Sequence, residues 1–157
     1  MAISAPVMST QYLGYINSRD SGIPKGTTLY ELQANLVFTA AGFTTAAAGD
    51  LSLLRLPAGT VRIYMALSKI ICPAGTATSD LDIGISSYTS PAGATVSAVN
   101  NALSDSLDVG GGALSQALGT GNYVVDSRDG ADVVCSFDTA NSPSSGSLII
   151  SIIYQLG

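Results

Sequence analysis

Side chains able to do chemistry are scarce in this sequence. It contains no histidine and no tryptophan, and Glu31 is the one Glu among 11 acidic residues. Without an imidazole there is no Ser-His or Cys-His nucleophile pair, no histidine-bound zinc and no proton shuttle working near neutral pH. Asp20-Ser21-Gly22 matches the core of an aspartic protease site, which needs an apolar strand leading into the Asp and a second carboxylate to share its proton. Ser18-Arg19 precedes it and Ile23-Pro24 follows, which is turn chemistry. Asp126, Asp129 and Asp132 lie three apart around Gly130, and Asp80 and Asp82 lie two apart. Neither spacing is that of a calcium loop, with its closely alternating ligands and distal bidentate carboxylate, so both read as turns or outward strand faces. Gly110-Gly111-Gly112 lacks the following Lys-Ser/Thr and the βαβ context of a phosphate cradle and reads as a flexible loop. The expectation is a protein that is not an enzyme, with no catalytic residue, no metal and no cofactor.

Charge and cysteine content narrow the partners. Six Lys plus Arg and a net charge of −5 leave no basic footprint for nucleic acid. Two cysteines do not make a disulfide framework. Cys135 shares a strand side with Val133 and Phe137 and reads as a small buried hydrophobe. A Cys72–Cys135 bridge is the alternative, since both lie in strands that could be neighbours. Met1 to Pro6 lacks the basic and apolar regions of a secretory signal. The run Leu148 to Tyr154, broken by Ser151, is far shorter than the ~20 residues of a membrane helix. The expectation is a soluble protein made in a cytoplasm.

The elements that would carry any site are strands. Charged residues make up 11% and hydrophobic residues 46%, a poor composition for a coiled coil or helix bundle. Tyr30, Leu32, Ala34, Leu36 and Phe38 point one way and Glu31, Gln33 and Asn35 the other, the alternation of a half-buried antiparallel strand. Val61, Ile63, Met65 and Leu67 oppose Arg62, Tyr64, Ala66 and Ser68 in the same manner. Leu81, Ile83 and Ile85 oppose Asp80, Asp82 and Gly84. Val133, Cys135 and Phe137 oppose Asp132 and Ser136, and the last strand sets Leu148, Ile150, Ile152, Tyr154 and Leu156 on one face. Leu56-Pro57-Ala58-Gly59 predicts a tight hairpin between the strands it joins. Val96, Val99, Leu103 and Leu107 recur at roughly helical spacing and predict a short helix or a long crossing loop. Eight to ten strands with regular turn punctuation predict an all-β, antiparallel β-sandwich, jelly-roll-like, over residues 28–157.

Residues 1–27 predict an extended N-terminal arm, because their few apolar side chains cannot form a core alone. Ile3, Pro6, Val7, Tyr12 and Tyr15 are its candidate contacts to a partner. Within the sandwich, the face opposite the core carries Ile149 and Ile153 on the last strand, and Tyr64, Ala66 and Ile70 on the Val61 strand. A lone small domain exposing such faces would be sticky, so the reading is a protein that works inside an assembly. Tyr64, Ile149 and Ile153 are the candidate subunit interface, with a trimer favoured over a dimer.

The block from Asp50 to Ile63, with its Leu56-Pro57-Ala58-Gly59 turn, then Ala74-Gly75-Thr76 and Leu81-Asp82-Ile83-Gly84, resembles small virion proteins of tailed bacteriophages. The close Ser147-Leu148-Ile149-Ile150-Ser151-Ile152-Ile153-Tyr154 is similar too, so the resemblance covers about residues 50 to 157. It implies a head decoration, or cement, protein: a structural protein without an active site that binds the outer surface of the capsid. Its partners would be the major capsid protein and sister copies, and its place the virion surface. The other readings are a tail, neck or fibre component of the same particle, and a sugar-binding adhesin module.

Overall fold

The computed structural model describes residues 11–12, 28–38, 51–75, 79–137 and 143–157. They hold strands and no helix. In chain order these are β1 (Gln11–Tyr12), β2 (Tyr30–Val37), β3 (Leu51–Leu56), β4 (Gly59–Tyr64), β5 (Lys69–Cys72), β6 (Asp80–Ile85) and β7 (Tyr88–Thr89). There follow β8 (Thr95–Val96), β9 (Val99–Asp108), β10 (Leu114–Ala117), β11 (Asn122–Ser127), β12 (Ala131–Phe137) and β13 (Ser147–Leu156). The chain is all-β, and every strand pair is antiparallel. One sheet runs β1-β2-β13-β4-β11, with β5 also on β13 and β10 on β5; a second runs β3-β12-β6-β9; β7 and β8 form a small hairpin.

The two larger sheets share one core. From the first come Leu32, Ala34, Leu36, Val61, Ile63, Ile70, Leu148, Ile150 and Ile152; from the second Leu54, Leu56, Leu81, Ile83, Ile85, Val133, Cys135 and Phe137. The period-two patterns of β2, β6, β12 and β13 thus place their apolar sides as the sequence predicts. Phe38 meets Phe137 edge-on across the sandwich, with ring centroids 6.0 Å apart.

The first sheet is organised around β13. On one side β2 pairs with it from Ser147 to Tyr154. On the other, β5 pairs with Ile149 to Ser151 and β4 with Tyr154 to Leu156. Ile63 faces Tyr154 and Lys69 faces Ser151, so six steps along β4 and β5 oppose three along β13. The surplus forms a turn, with Leu67 N–H donating to Tyr64 O at 3.1 Å and Ser68 N–H at 3.0 Å. The edge strands break at the same level: Asn122 of β11 faces Tyr64 and Ala117 of β10 faces Lys69.

This insertion overturns part of the sequence reading. The alternation over Val61–Leu67 stops at Tyr64, and Leu67 lies half exposed in the turn. Past the insertion the phase is reversed, so Ile70, expected on the outward face, is fully buried together with Cys72.

Two further expectations change. Residues 96–107 form no helix: β9 pairs with β6, with Ser104 opposite Ile83 and Val99 opposite Ile85. Five steps of β9 therefore oppose two of β6, and this bulge, not a helix turn, spaces the apolar residues. At the bulge a Cβ on Gly84 would lie 2.2 Å from the Asn100 carbonyl carbon, so β9 presses on β6 where only glycine fits. Nor is Leu56-Pro57-Ala58-Gly59 a hairpin turn. β3 pairs with β12 and β4 with β11 and β13, so the turn hands the chain from one sheet to the other, with Gly59 at φ +99°.

Ser68 makes the insertion tenable. Its hydroxyl is buried, donates to Tyr64 O at 2.9 Å, and accepts the Ile153 N–H at 2.9 Å where the ladder has no strand partner. Removing it leaves the buried Ile153 N–H unpaired, a loss of about 1–3 kcal/mol, while Tyr64 O keeps the Leu67 and Ser68 N–H groups. Ser68→Ala should lower the denaturant midpoint at an unchanged slope. A midpoint within error of the parent protein would show that water or a backbone shift replaces the hydroxyl.

Candidate docking surface

No grouping of three His, Cys, Asp or Glu side chains able to hold a metal occurs among the described residues. Four of the carboxylates singled out above have local partners: Asp82 accepts from the Ser106 N–H at 2.6 Å and Asp129 from Arg128 Nε at 3.1 Å, and Asp126 and Asp132 are likewise engaged. Asp132 takes Arg55 Nη1 at 2.8 Å and Ser52 Oγ at 3.2 Å, and the Asp129 carbonyl takes Arg55 Nη2 at 2.8 Å. Asp126 accepts from Thr60 Oγ1 at 3.0 Å. In the Gly110–Gly112 turn, Gly111 N–H donates to Asp108 Oδ1 at 2.9 Å, so a side chain of the same loop closes that turn. Asp20-Ser21-Gly22 lies outside the described residues.

The surface that remains is the outward face of the first sheet, and the strand register builds it row by row. Asn35, Ile149 and Ile71 stand side by side on β2, β13 and β5. Val37 is one step diagonal to Ile149, opposite Ser147. Val37 is 54% exposed, Ile71 37% and Ile149 36%. The next row holds Gln33, Ser151 and Lys69. Ser151 Oγ hydrogen-bonds Glu31 Oε1, and Gln33 Nε2 donates to the same oxygen at 3.2 Å. The result is an apolar patch on three neighbouring strands, bordered by amides, a carboxylate and an exposed lysine.

The candidate interface residues fall differently on this face. Ile149 belongs to the patch. Tyr64 is half-buried and donates from its hydroxyl to Gln155 Oε1 at 2.7 Å, on the β4 side of the insertion. Ile153, read as outward, is 7% exposed and offers little area to another molecule. Val37 and Ile71 were missed by the sequence reading. Ile71 escaped it because the insertion reverses the phase, and Val37 because it lies at the end of a strand read through its inward residues. Of the arm residues, Ile3, Pro6, Val7 and Tyr15 lie outside the described residues. Tyr12 is placed by its backbone alone, opposite Tyr30.

A pocket of about 310 Å³ opens at one end of the sandwich, lined by Leu32, Leu56, Pro57, Ala58, Tyr154, Arg55 and Asp129. Tyr154 stacks on Tyr30 with centroids 5.5 Å apart, and burial, then the neighbouring Tyr30, raises its pKa above 10.0. The pocket wall is largely apolar, and its rim guanidinium is already engaged by Asp132 and the Asp129 carbonyl.

No family model matches the chain, and no curated protein matches it. Among solved structures the chain is similar to the cyanophage Pam1 capsid asymmetric unit, at 15% identity and a TM-score of 0.49, over 87% of this chain and 90% of that one. It is also similar to the acidic stable capsid structure of Helicobacter pylori bacteriophage KHP30, at 16% identity and a TM-score of 0.39, over 80% and 87% respectively.

Cys72 and Cys135 are both buried thiols. Burial pushes the Cys72 pKa from 9.0 to about 12. The folded chain keeps a proton that the unfolded chain releases above pH 9.0, so stability should fall as pH rises from there toward 12. The raised Tyr123 and Tyr154 add to the fall once pH passes 10.0. Below pH 9 Cys72 should leave stability unchanged, and it should react with alkylating reagents only at the rate of unfolding. Fast labelling of Cys72 in the native protein at pH 8 would contradict this burial.

Proposed function

We propose that the protein is a structural component of a phage virion that seats on the outer surface of the capsid and stabilises it, as a decoration or cement protein. The observation that carries this reading is the apolar patch of Val37, Ile71 and Ile149 on one face of an otherwise complete sandwich. Such a patch is costly to leave in water and marks a surface made to be covered. The resemblance of Asp50–Ile63 and Ser147–Tyr154 to small virion proteins supports the same reading. Its partners are the major capsid protein and sister copies in a homo-oligomer, with a trimer favoured.

Binding is the whole mechanism. A protein that holds the assembled lattice and not its separate subunits stabilises the lattice by the free energy of that binding. The outward face, with Ile149, Ile71 and the neighbouring Tyr64, supplies the contact to sister copies or lattice. Ile153 adds little, because it is already covered within its own chain. The arm residues Ile3, Pro6, Val7, Tyr12 and Tyr15 add grip, and several arms on one oligomer gain from effective concentration.

In the purified particle, quantitative mass spectrometry should find the chain in copies on the order of hundreds. A handful per particle would favour a tail, neck or fibre component, and absence from the particle would overturn the virion reading. Ile71→Lys with Ile149→Lys should release the protein from particles while its circular dichroism stays that of the parent. Undiminished binding by that folded variant would exclude this face as the contact.

A further inference from the structure

The pocket at the end of the sandwich is built from both sheets. Leu32 and Tyr154 come from β2 and β13, Leu56 from the end of β3, and Pro57 and Ala58 from the turn that carries the chain between the sheets. Leu32, Leu56 and Tyr154 also belong to the core, so the core opens to solvent here. The rim is braced. Arg55 ties Asp132 to the Asp129 carbonyl, and the turn at Gly130 packs so closely that a Cβ there would lie 2.6 Å from Leu56 O. A rim held in this way keeps the cavity formed before any ligand arrives, which lowers the cost of binding.

One polar group in this pocket lacks a partner. Tyr154 is 5% exposed, yet its hydroxyl makes no hydrogen bond among the described residues. A buried tyrosine hydroxyl normally has one. Unlike the orphaned Ser127 Oγ, it is not sealed from solvent, and the opening it meets is the pocket it lines. We propose that this pocket binds a small neutral molecule with one apolar ring and a hydrogen-bond acceptor, such as a carbonyl, that receives the Tyr154 hydroxyl proton.

Size, charge and proton state set that class. A volume of about 310 Å³ is at the lower end of small-molecule cavities, roughly 300–1,000 Å³, and suits a single ring. The charges at the rim are already matched, Arg55 with Asp132 at 2.8 Å and Asp129 with Arg128 at 3.1 Å. An ionic ligand would lose its hydration here without gaining a counter-charge. The Tyr154 pKa, raised by burial and then by Tyr30, keeps the phenol protonated at neutral pH, so it has a proton to donate. Leu32 and Tyr154 lie at the far end of the β2–β13 ladder from Val37 and Ile149. The inference therefore stands apart from the capsid reading, which rests on the outward face.

Titration of the full chain with benzamide, followed by two-dimensional amide NMR, tests it. The amides of Leu32, Leu56, Ala58 and Tyr154 should shift saturably at millimolar benzamide. Benzoate, the same shape with a charge, should bind at least about tenfold more weakly. Tyr154→Phe keeps the ring and its stack on Tyr30, and should weaken benzamide roughly 2- to 12-fold, the range of one hydrogen bond. Ala58→Phe, at an exposed turn position, should fill the pocket and abolish the shifts. No saturable shift at these amides would overturn the site, and undiminished binding by Ala58→Phe would overturn its location. Benzoate binding as tightly as benzamide would overturn the neutral class. Unchanged affinity in Tyr154→Phe would overturn the role given to the hydroxyl.

Discussion

The first sheet depends on one buried hydroxyl. An insertion in an antiparallel strand normally leaves its neighbour with an amide and no acceptor, and in a dry core that amide is expensive. Ser68 supplies the acceptor for Ile153 and gives its own proton to Tyr64 O, which also takes the Leu67 and Ser68 N–H groups, so one side chain bridges the gap. The Ser68 carbonyl then takes the Leu118 N–H at 3.0 Å, and the Leu118 carbonyl takes the Ser104 hydroxyl of β9. A line of hydrogen bonds thus runs from the middle of β13, through both broken strands, to the edge of the second sheet. It closes that side of the sandwich with backbone and hydroxyl groups and no ion pair.

What the sequence made legible follows from how burial writes itself into period two. β2, β6, β12 and β13 are uninterrupted on their core sides, so Leu32 to Leu36, Leu81 to Ile85, Val133 to Phe137 and Leu148 to Tyr154 could be assigned faces directly. Periodicity carries no record of a local insertion. Nothing in Met65-Ala66-Leu67-Ser68 distinguishes a turn from two more alternating pairs, and the error then moved Ile70 to the wrong side and hid Ile71. The bulge in β9 mimicked a helix for the same reason. Pro57 and Gly59 marked a turn correctly, but turn chemistry does not say which sheet receives the next strand.

The outward face was only partly legible. Ile149 could be found because β13 keeps its phase. Ile153, four residues along on the same side, is covered within the chain, which no alternation can reveal. The absence of histidine had more force than any motif present, since it removed whole reaction classes before any spacing was considered.

The aligned breaks in β4/β5 and β10/β11 have a mechanical consequence. They lie at one level and form a crease that divides the outer half of the sheet into two panels, while β2 and β13 cross it unbroken. Bulged strands bend and twist more than regular ones. The panel of β5 and β10, which bears Ile71, is thus set off from the panel of β4 and β11, and the continuous strand β13 joins the two. The outward face is therefore divided across the crease, with Ile71 on one panel and Tyr64 on the other.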